Sequence, residues 1–134
     1  MLSNGDERPT PGRDLVGYLI RYPQQIAFGD EDPAAVMDSY HTTEFEMVTD
    51  GIRLNRERLL AHVRAARKRA AGVHVVVHDT VSNGDRVAAR YTMTATMRKG
   101  PVITTEIYMF GELAPDGRLH HVDQVTRTIP AAEG

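Results

Sequence analysis

The chain has 134 residues, 41% hydrophobic and 25% charged, with a formal net charge of −2 and no cysteine. That length fits one domain, and the small net charge gives no reason to expect nucleic acid or an anionic membrane as a general partner. Without thiols, disulfides, a cysteine nucleophile and thiolate metal sites are excluded, and no apolar run approaches the ~20 residues of a membrane-spanning helix.

Residues 1–12 are polar and include Gly5, Pro9, Pro11 and Gly12, the composition of a mobile tail. No apolar stretch follows a basic start, so no signal peptide is expected and the expected location is cytoplasmic. A single domain is expected over residues 13–130, with residues 131–134 as a second tail. Asp14 can cap a first helix, because Leu15, Val16, Leu19, Ile20 and Ala27 recur at helical spacing and Pro23 interrupts them. Asp32-Pro33 is a cap and first-position pair for a short helix through Val36, Met37 and Tyr40. Glu44–Thr49 has strand character and ends at Asp50-Gly51. Asn55 then caps a third helix with Leu59, Leu60, Val63, Ala66 and Ala70 on one face and Gly72 just beyond it.

After Gly72 the composition changes. Val73–Val81, Arg86–Met97, Val102–Leu113 and Arg118–Ile129 are rich in valine, threonine and aromatics. Asn83-Gly84 is a two-residue hairpin signal; Arg98–Pro101 and Ala114–Gly117 fit four-residue loops. Helices followed by a long antiparallel meander predict an α+β domain with the helices on one face of the sheet.

Regular hairpins through those loops would align Val76, Tyr91, Tyr108 and Asp123 in one transverse row. The flanking rows would hold His78, Ala89, Phe110 and His121 on one side, and His74, Met93, Glu106 and Val125 on the other. A face mixing aromatics and methionine with Asp123 and Glu106 has the composition of a pocket lining. The opposite face would carry Ile103, Ile107 and Met109 with Arg90, Val122 and Gln124. A central strand apolar on both faces implies cover on both, so a second subunit is expected over the outer face of the sheet.

An aspartate in an apolar pocket would be costly to ionise and thereby suited to act as a base. His121 is a proton partner for Asp123 only through bent side chains or water, their backbones lying about 6.6 Å apart. His74 and His78 would stand about 13 Å apart, too far to share one ion, and no metal site is expected. The basic stretch Arg64–Arg69 reads as the solvated face of its helix.

The order of elements resembles the nuclear transport factor 2-like fold, and more closely the SnoaL-like polyketide cyclases. The likeness covers about Asp14 to Ile129. It rests on Gly84-Asp85-Arg86-Val87-Ala88-Ala89-Arg90, Phe110, and Asp116-Gly117-Arg118-Leu119 leading to His121-Val122-Asp123. The resemblance implies a general base at Asp123, a substrate contact at Tyr108, a reaction without cofactor, and frequent dimers. This chain departs from the pattern with Tyr108 for a histidine and Val122 for a tryptophan.

The leading expectation is therefore an acid–base enzyme acting on a small apolar carbonyl compound. Asp123 and Tyr108 would be catalytic, with Tyr91, Met93, Glu106, Phe110, His121 and His78 contacting the substrate. Proton abstraction beside the carbonyl would give cyclisation, isomerisation or dehydration of a polyketide-like or steroid-like molecule. The alternatives are a non-catalytic ligand-binding or dimerisation domain of the same fold, and an epoxide hydrolase.

Overall fold

A computed structural model describes residues 9–130. The helices are α1 (Leu15–Phe28), α2 (Pro33–Tyr40) and α3 (Arg56–Arg69). The strands are β1 (His41–Thr49), β2 (Ile52–Asn55), β3 (Ala70–Asn83), β4 (Arg86–Met97), β5 (Val102–Leu113) and β6 (Leu119–Ile129). They form one open sheet in the order β2-β1-β6-β5-β4-β3, antiparallel except for the parallel pair β1–β6. The expected α+β architecture is what the chain adopts. Of the two expected tails, residues 1–8 and 131–134 lie outside the described residues. Pro11 is fully buried, and the Gly12 amide donates to the Gly117 carbonyl at 2.9 Å.

Local signals set the helix ends. Asp14 Oδ1 accepts from the Gly17 amide at 2.9 Å, and Asn55 Oδ1 accepts from the Arg58 amide at 2.9 Å. Each satisfies one of the donors a helix start leaves unpaired. Replacing Asn55 with Ala should lower stability by about 1 kcal/mol, read as a shifted midpoint in urea with an unchanged slope. At the other end of α3, Arg67 Nε donates to the Ile26 carbonyl at 2.6 Å and fastens α3 to the last turn of α1. Pro23 sits within α1; the helix runs on through it.

Strand β2 was not anticipated from the sequence. Asp50 and Gly51 have φ of 51° and 85°, the left-handed pair of a type I′ turn, so this Asp-Gly makes a hairpin. The Asp50 carboxylate then accepts from the Thr126 amide at 2.9 Å and from its hydroxyl at 2.5 Å. Those bonds hold its pKa below the usual carboxylate value and fasten the hairpin to β6.

The register of the meander differs from the one expected. Glycine leads the first turn: Asn83 pairs with Arg86, and Gly84 has φ of 62°. A bulge lies between Val77 and Asp79, so Val77, not Val76, faces Tyr91 across the ladder. Thr96 pairs with Val102, leaving five residues in the β4–β5 loop where four were expected. Leu113 pairs with Leu119, and a further irregularity lies between Glu112 and Leu113. The odd loop between β4 and β5 turns β5 and β6 over relative to β4. Tyr91 therefore pairs with Ile107, while Tyr108 pairs with Arg90 and Val125.

The helices cover the face carrying Val87, Ala89, Tyr91, Ile107, Met109 and Val122, which joins Leu15, Tyr18, Leu19, Val36, Tyr40 and Phe45 in one core. Gly111 belongs to the same face. A Cβ there would lie 2.8 Å from Leu119 Cδ2 and 2.9 Å from Val87 Cγ2, so only glycine fits without displacing its neighbours.

Candidate functional site: an apolar cavity

Between the inner face of the sheet and helices α1 and α3 lies a cavity of 400 Å³. Tyr18, Tyr22, Met47, Tyr91, Met93 and Gln124 line it, with small residues such as Ala66 and Ala95 elsewhere in the wall. No Asp, Glu, Lys, Arg or His is among the lining residues. A ligand there meets an apolar surface with a few polar atoms to orient it, the usual make-up of a small-molecule site.

Those polar atoms come from helix and strand periodicity. Tyr18 and Tyr22 are four apart on α1, so their rings share one face and stack at 5.5 Å. Tyr91 projects from β4 and is only 8% exposed. Burial pushes its hydroxyl pKa up to about 12, so it stays protonated and able to donate. None of its hydrogen bonds within the described residues involves that hydroxyl. Burial raises Tyr22 as well. Gln124, paired across the ladder with Met109, projects from β6.

Behind Tyr18 stands His41, at 2% exposure the one buried residue among those described with an ionisable side chain other than tyrosine. Its Nδ1 lies 2.9 Å from the Met37 carbonyl and its Nε2 lies 2.7 Å from the Tyr18 hydroxyl. A carbonyl can only accept, so Nδ1 carries the proton and Nε2 accepts from Tyr18. Burial lowers the His41 pKa to about 4, so the ring is neutral at pH 7. The rings of Tyr22 and Phe45 pack against it at 4.9 and 4.5 Å. The Tyr18 proton is thus committed to His41, and the lone pairs of its oxygen are left to accept from a ligand.

Most of the residues expected at the site lie elsewhere: the odd β4–β5 loop turns over β5 and β6, and the bulge between Val77 and Asp79 displaces His78. Of the eight, Tyr91 and Met93 line the cavity. Asp123, Tyr108, Glu106, Phe110, His121 and His78 project from the opposite face of the sheet. Tyr108 and Asp123 do share a face, but it is the outer one, where the Asp123 side chain is 62% exposed. His121 Nε2 meets Asp123 Oδ2 at 3.1 Å, in solvent and not in a pocket. Glu106 accepts from Arg127 Nη2 at 2.9 Å, which with Arg90 keeps its pKa below the usual range. His78 Nε2 lies 2.7 Å from Thr92 Oγ1.

The residues the sequence reading missed are Tyr18, Tyr22, His41 and Gln124. Tyr18 and Tyr22 were visible as an i, i+4 pair within the α1 pattern. Gln124 had been placed on the opposite face from the pocket. Nothing local marked His41, which becomes buried only when β1 pairs with β6.

The profile of the SnoaL-like domain matches residues 20–127. The chain belongs to this family. As a SnoaL-like domain it also shares its fold with solved structures of low identity. One is an NTF2-like protein of unknown function from Exiguobacterium sp. 255-15: TM-score 0.63 and 20% identity, covering 80% of this chain and 95% of that one. Another is described as a SnoaL-like polyketide cyclase from Jannaschia sp. CCS1: TM-score 0.63 and 17% identity, covering 92% and 91%. A third is an LEH-like epoxide hydrolase from M. tuberculosis: TM-score 0.65 and 16% identity, covering 87% and 81%. At these identities the likeness concerns the nuclear transport factor 2-like fold alone. No curated protein matches this chain in sequence. Among the described residues no helix is long and apolar enough to cross a membrane.

Proposed function

We propose that this SnoaL-like domain is a receptor for a neutral, largely apolar small molecule with a hydrogen-bonding oxygen, held between the sheet and α1. The observation that carries the reading is Tyr91, whose protonated hydroxyl belongs to the wall of a largely apolar cavity and has no hydrogen-bond partner among the described residues. A carbonyl or ether oxygen would satisfy it, and a ligand hydroxyl could donate to Tyr18. An anionic ligand would leave water for a space with no cation to receive it, which is strongly unfavourable.

Proton abstraction by Asp123 is not supported, because its carboxylate stands on the far side of the sheet from the cavity. A second reading, acid–base catalysis of the cyclase or isomerase kind, is favoured by one feature: Tyr18 on the cavity wall is hydrogen-bonded to His41 behind it. In that reading the Tyr18 oxygen, its own proton held by His41 Nε2, would accept a proton from the substrate. His41, held neutral, keeps Tyr18 oriented but is a weak base. Binding is therefore the function the geometry supports better.

The test compares a neutral ketone with its carboxylate counterpart, 2-acetylnaphthalene with 2-naphthoate, by calorimetry and thermal shift at pH 7.5. The ketone should bind and raise the melting temperature, and the acid should bind at least tenfold more weakly. Equal binding of the two, or none by the ketone, would sink the proposal. Tyr91→Phe should weaken the ketone about 5- to 10-fold, the worth of one neutral hydrogen bond, and leave naphthalene unaffected. Asp123→Asn should leave both affinities unchanged.

A further inference from the structure

The direction of the Tyr18 hydrogen bond is decided outside the cavity, at the end of α2. Met37 lies in the last turn of that helix, where carbonyls have no partner further along the chain. Its oxygen accepts from the His41 amide, which closes the helix, and lies 2.9 Å from His41 Nδ1. A carbonyl has no proton to give, so the imidazole proton sits on Nδ1 and Nε2 is a bare lone pair. Tyr18, 2.7 Å from Nε2, is the donor of that bond. A chain of donors therefore runs one way only, from Tyr18 through His41 to the helix end.

The chain is fixed in place by its surroundings. His41 is 2% exposed and Tyr18 7%, and the rings of Tyr22, Tyr40 and Phe45 pack around the imidazole. The other tautomer would set a nitrogen lone pair against the Met37 oxygen, away from water, which is strongly disfavoured. The neighbouring Tyr40 offers no alternative, since its hydroxyl donates to Gln25 Oε1 at 2.5 Å.

The Tyr18 oxygen thus has lone pairs but no proton for the cavity it lines. A hydroxyl that donates becomes a better acceptor, because each bond in such a chain polarises the next. A ligand atom beside Tyr18 is matched only when it brings a proton of its own; a carbonyl or ether oxygen there would face lone pair against lone pair. Tyr22 and Gln124, on the same wall, carry both a donor and an acceptor and set no such condition.

Resting on the reading of the cavity as a receptor, we infer that its ligand bears a hydroxyl group, an alcohol or a phenol, that donates to Tyr18. His41 imposes this condition without lining the cavity itself. It is a positioning residue for specificity, selecting a hydroxyl over a methoxy group at one point of the wall.

The probes are 2-naphthol and 2-methoxynaphthalene, which differ by one methyl group, with 2-acetylnaphthalene as the reference; calorimetry at pH 7.5 gives the three affinities. The wild type should bind 2-naphthol about tenfold more tightly than its methyl ether, the worth of one good hydrogen bond. His41→Leu frees the Tyr18 proton, so the ether should gain and the preference fall to about twofold or less. Tyr18→Phe removes the acceptor and should erase the preference as well, which keeps the test decisive if His41→Leu does not fold. His41→Gln sets an amide oxygen within reach of Tyr18 and should retain it. A substitution that merely loosened the core would weaken both probes alike and leave their ratio unchanged. Equal binding of the two probes by the wild type would overturn the inference, as would an undiminished preference in folded His41→Leu or Tyr18→Phe. In those cases the receptor reading stands as long as 2-acetylnaphthalene binds. Failure of that ketone to bind would instead remove the receptor reading, and this inference with it.

Discussion

Between about pH 6.5 and pH 4 the domain should lose about 3 kcal/mol of stability, and His41 should account for most of it. In the unfolded chain this histidine takes up a proton near its ordinary value of 6.5; in the fold burial lowers it to about 4. The unfolded state therefore binds the extra proton across that window, and stability falls as pH falls. Each unit of displacement is worth about 1.4 kcal/mol, and the gap is about two and a half units. Above 6.5 the contribution is full; below 4 both states are protonated and the loss is complete. Of the charges near His41, Asp38 favours its protonation and Arg118 opposes it, both less strongly than burial. Asp38 is already engaged by Arg56 at 2.9 and 3.0 Å.

The carboxylates held low by hydrogen bonds, Asp14, Asp50, Glu106 and Asp116, act in a different window. Their contributions are lost only as pH drops through and below the normal carboxylate range. Urea denaturation at pH 7.5, 6.5, 5.5 and 4.5 resolves the two regimes. His41→Gln should be less stable at pH 7.5, having lost the Tyr18 and Met37 bonds in part, but its stability should change little between 6.5 and 4.5. A wild-type profile that is flat across this window, or a variant with the same slope, would remove His41 as the cause.

Filling the cavity should abolish ligand binding without harming the fold. Ala95 lies on the inner face of β4, paired with Val73 and Ile103, and its side chain borders the 400 Å³ space. Ala95→Phe would place a ring where the ligand is proposed to lie. The expected result is at least a 100-fold loss of affinity for 2-acetylnaphthalene, with a melting temperature equal to or above the wild type. New apolar contact replaces empty apolar volume, a change that commonly stabilises. Wild-type affinity in Ala95→Phe would show that the ketone binds somewhere else. A folded variant that has lost binding, alongside an Asp123→Asn variant that has kept it, would place recognition on the inner face.

The contrast between those two substitutions bears on what the residues could reveal beforehand. Each strand on its own already marks its buried side. In β4 the odd positions Val87, Ala89, Tyr91, Met93 and Ala95 are apolar, while the even ones include Arg86, Arg90 and three threonines. In β5 Ile107 and Met109 alternate with Glu106, Tyr108 and Phe110. Read strand by strand, that alternation assigns Glu106, Tyr108 and Phe110 to the outside. Counting through the turns instead gave weight to one loop length, and a five-residue loop reversed the result. Tyr91 and Met93 precede that loop, and both line the cavity.

Composition, caps and alternation by themselves determined the three helices, the four-strand meander, the α+β class and the likeness to a family. These follow from short-range chemistry: Asp14 and Asn55 at helix starts, proline after Asp32, and glycine where the backbone turns left-handed. Tertiary structure alone decided which polar groups meet the cavity. The Tyr18–His41 bond joins groups 23 residues apart, and the face shown by β6 depends on the lengths of two loops, the irregularity between Glu112 and Leu113 and a parallel pairing with β1. Side chains alternate with a period of two, so a single extra residue exchanges pocket for surface. No local pattern records that choice; it is made by the burial of Ile107, Met109 and Val122 beneath the helices.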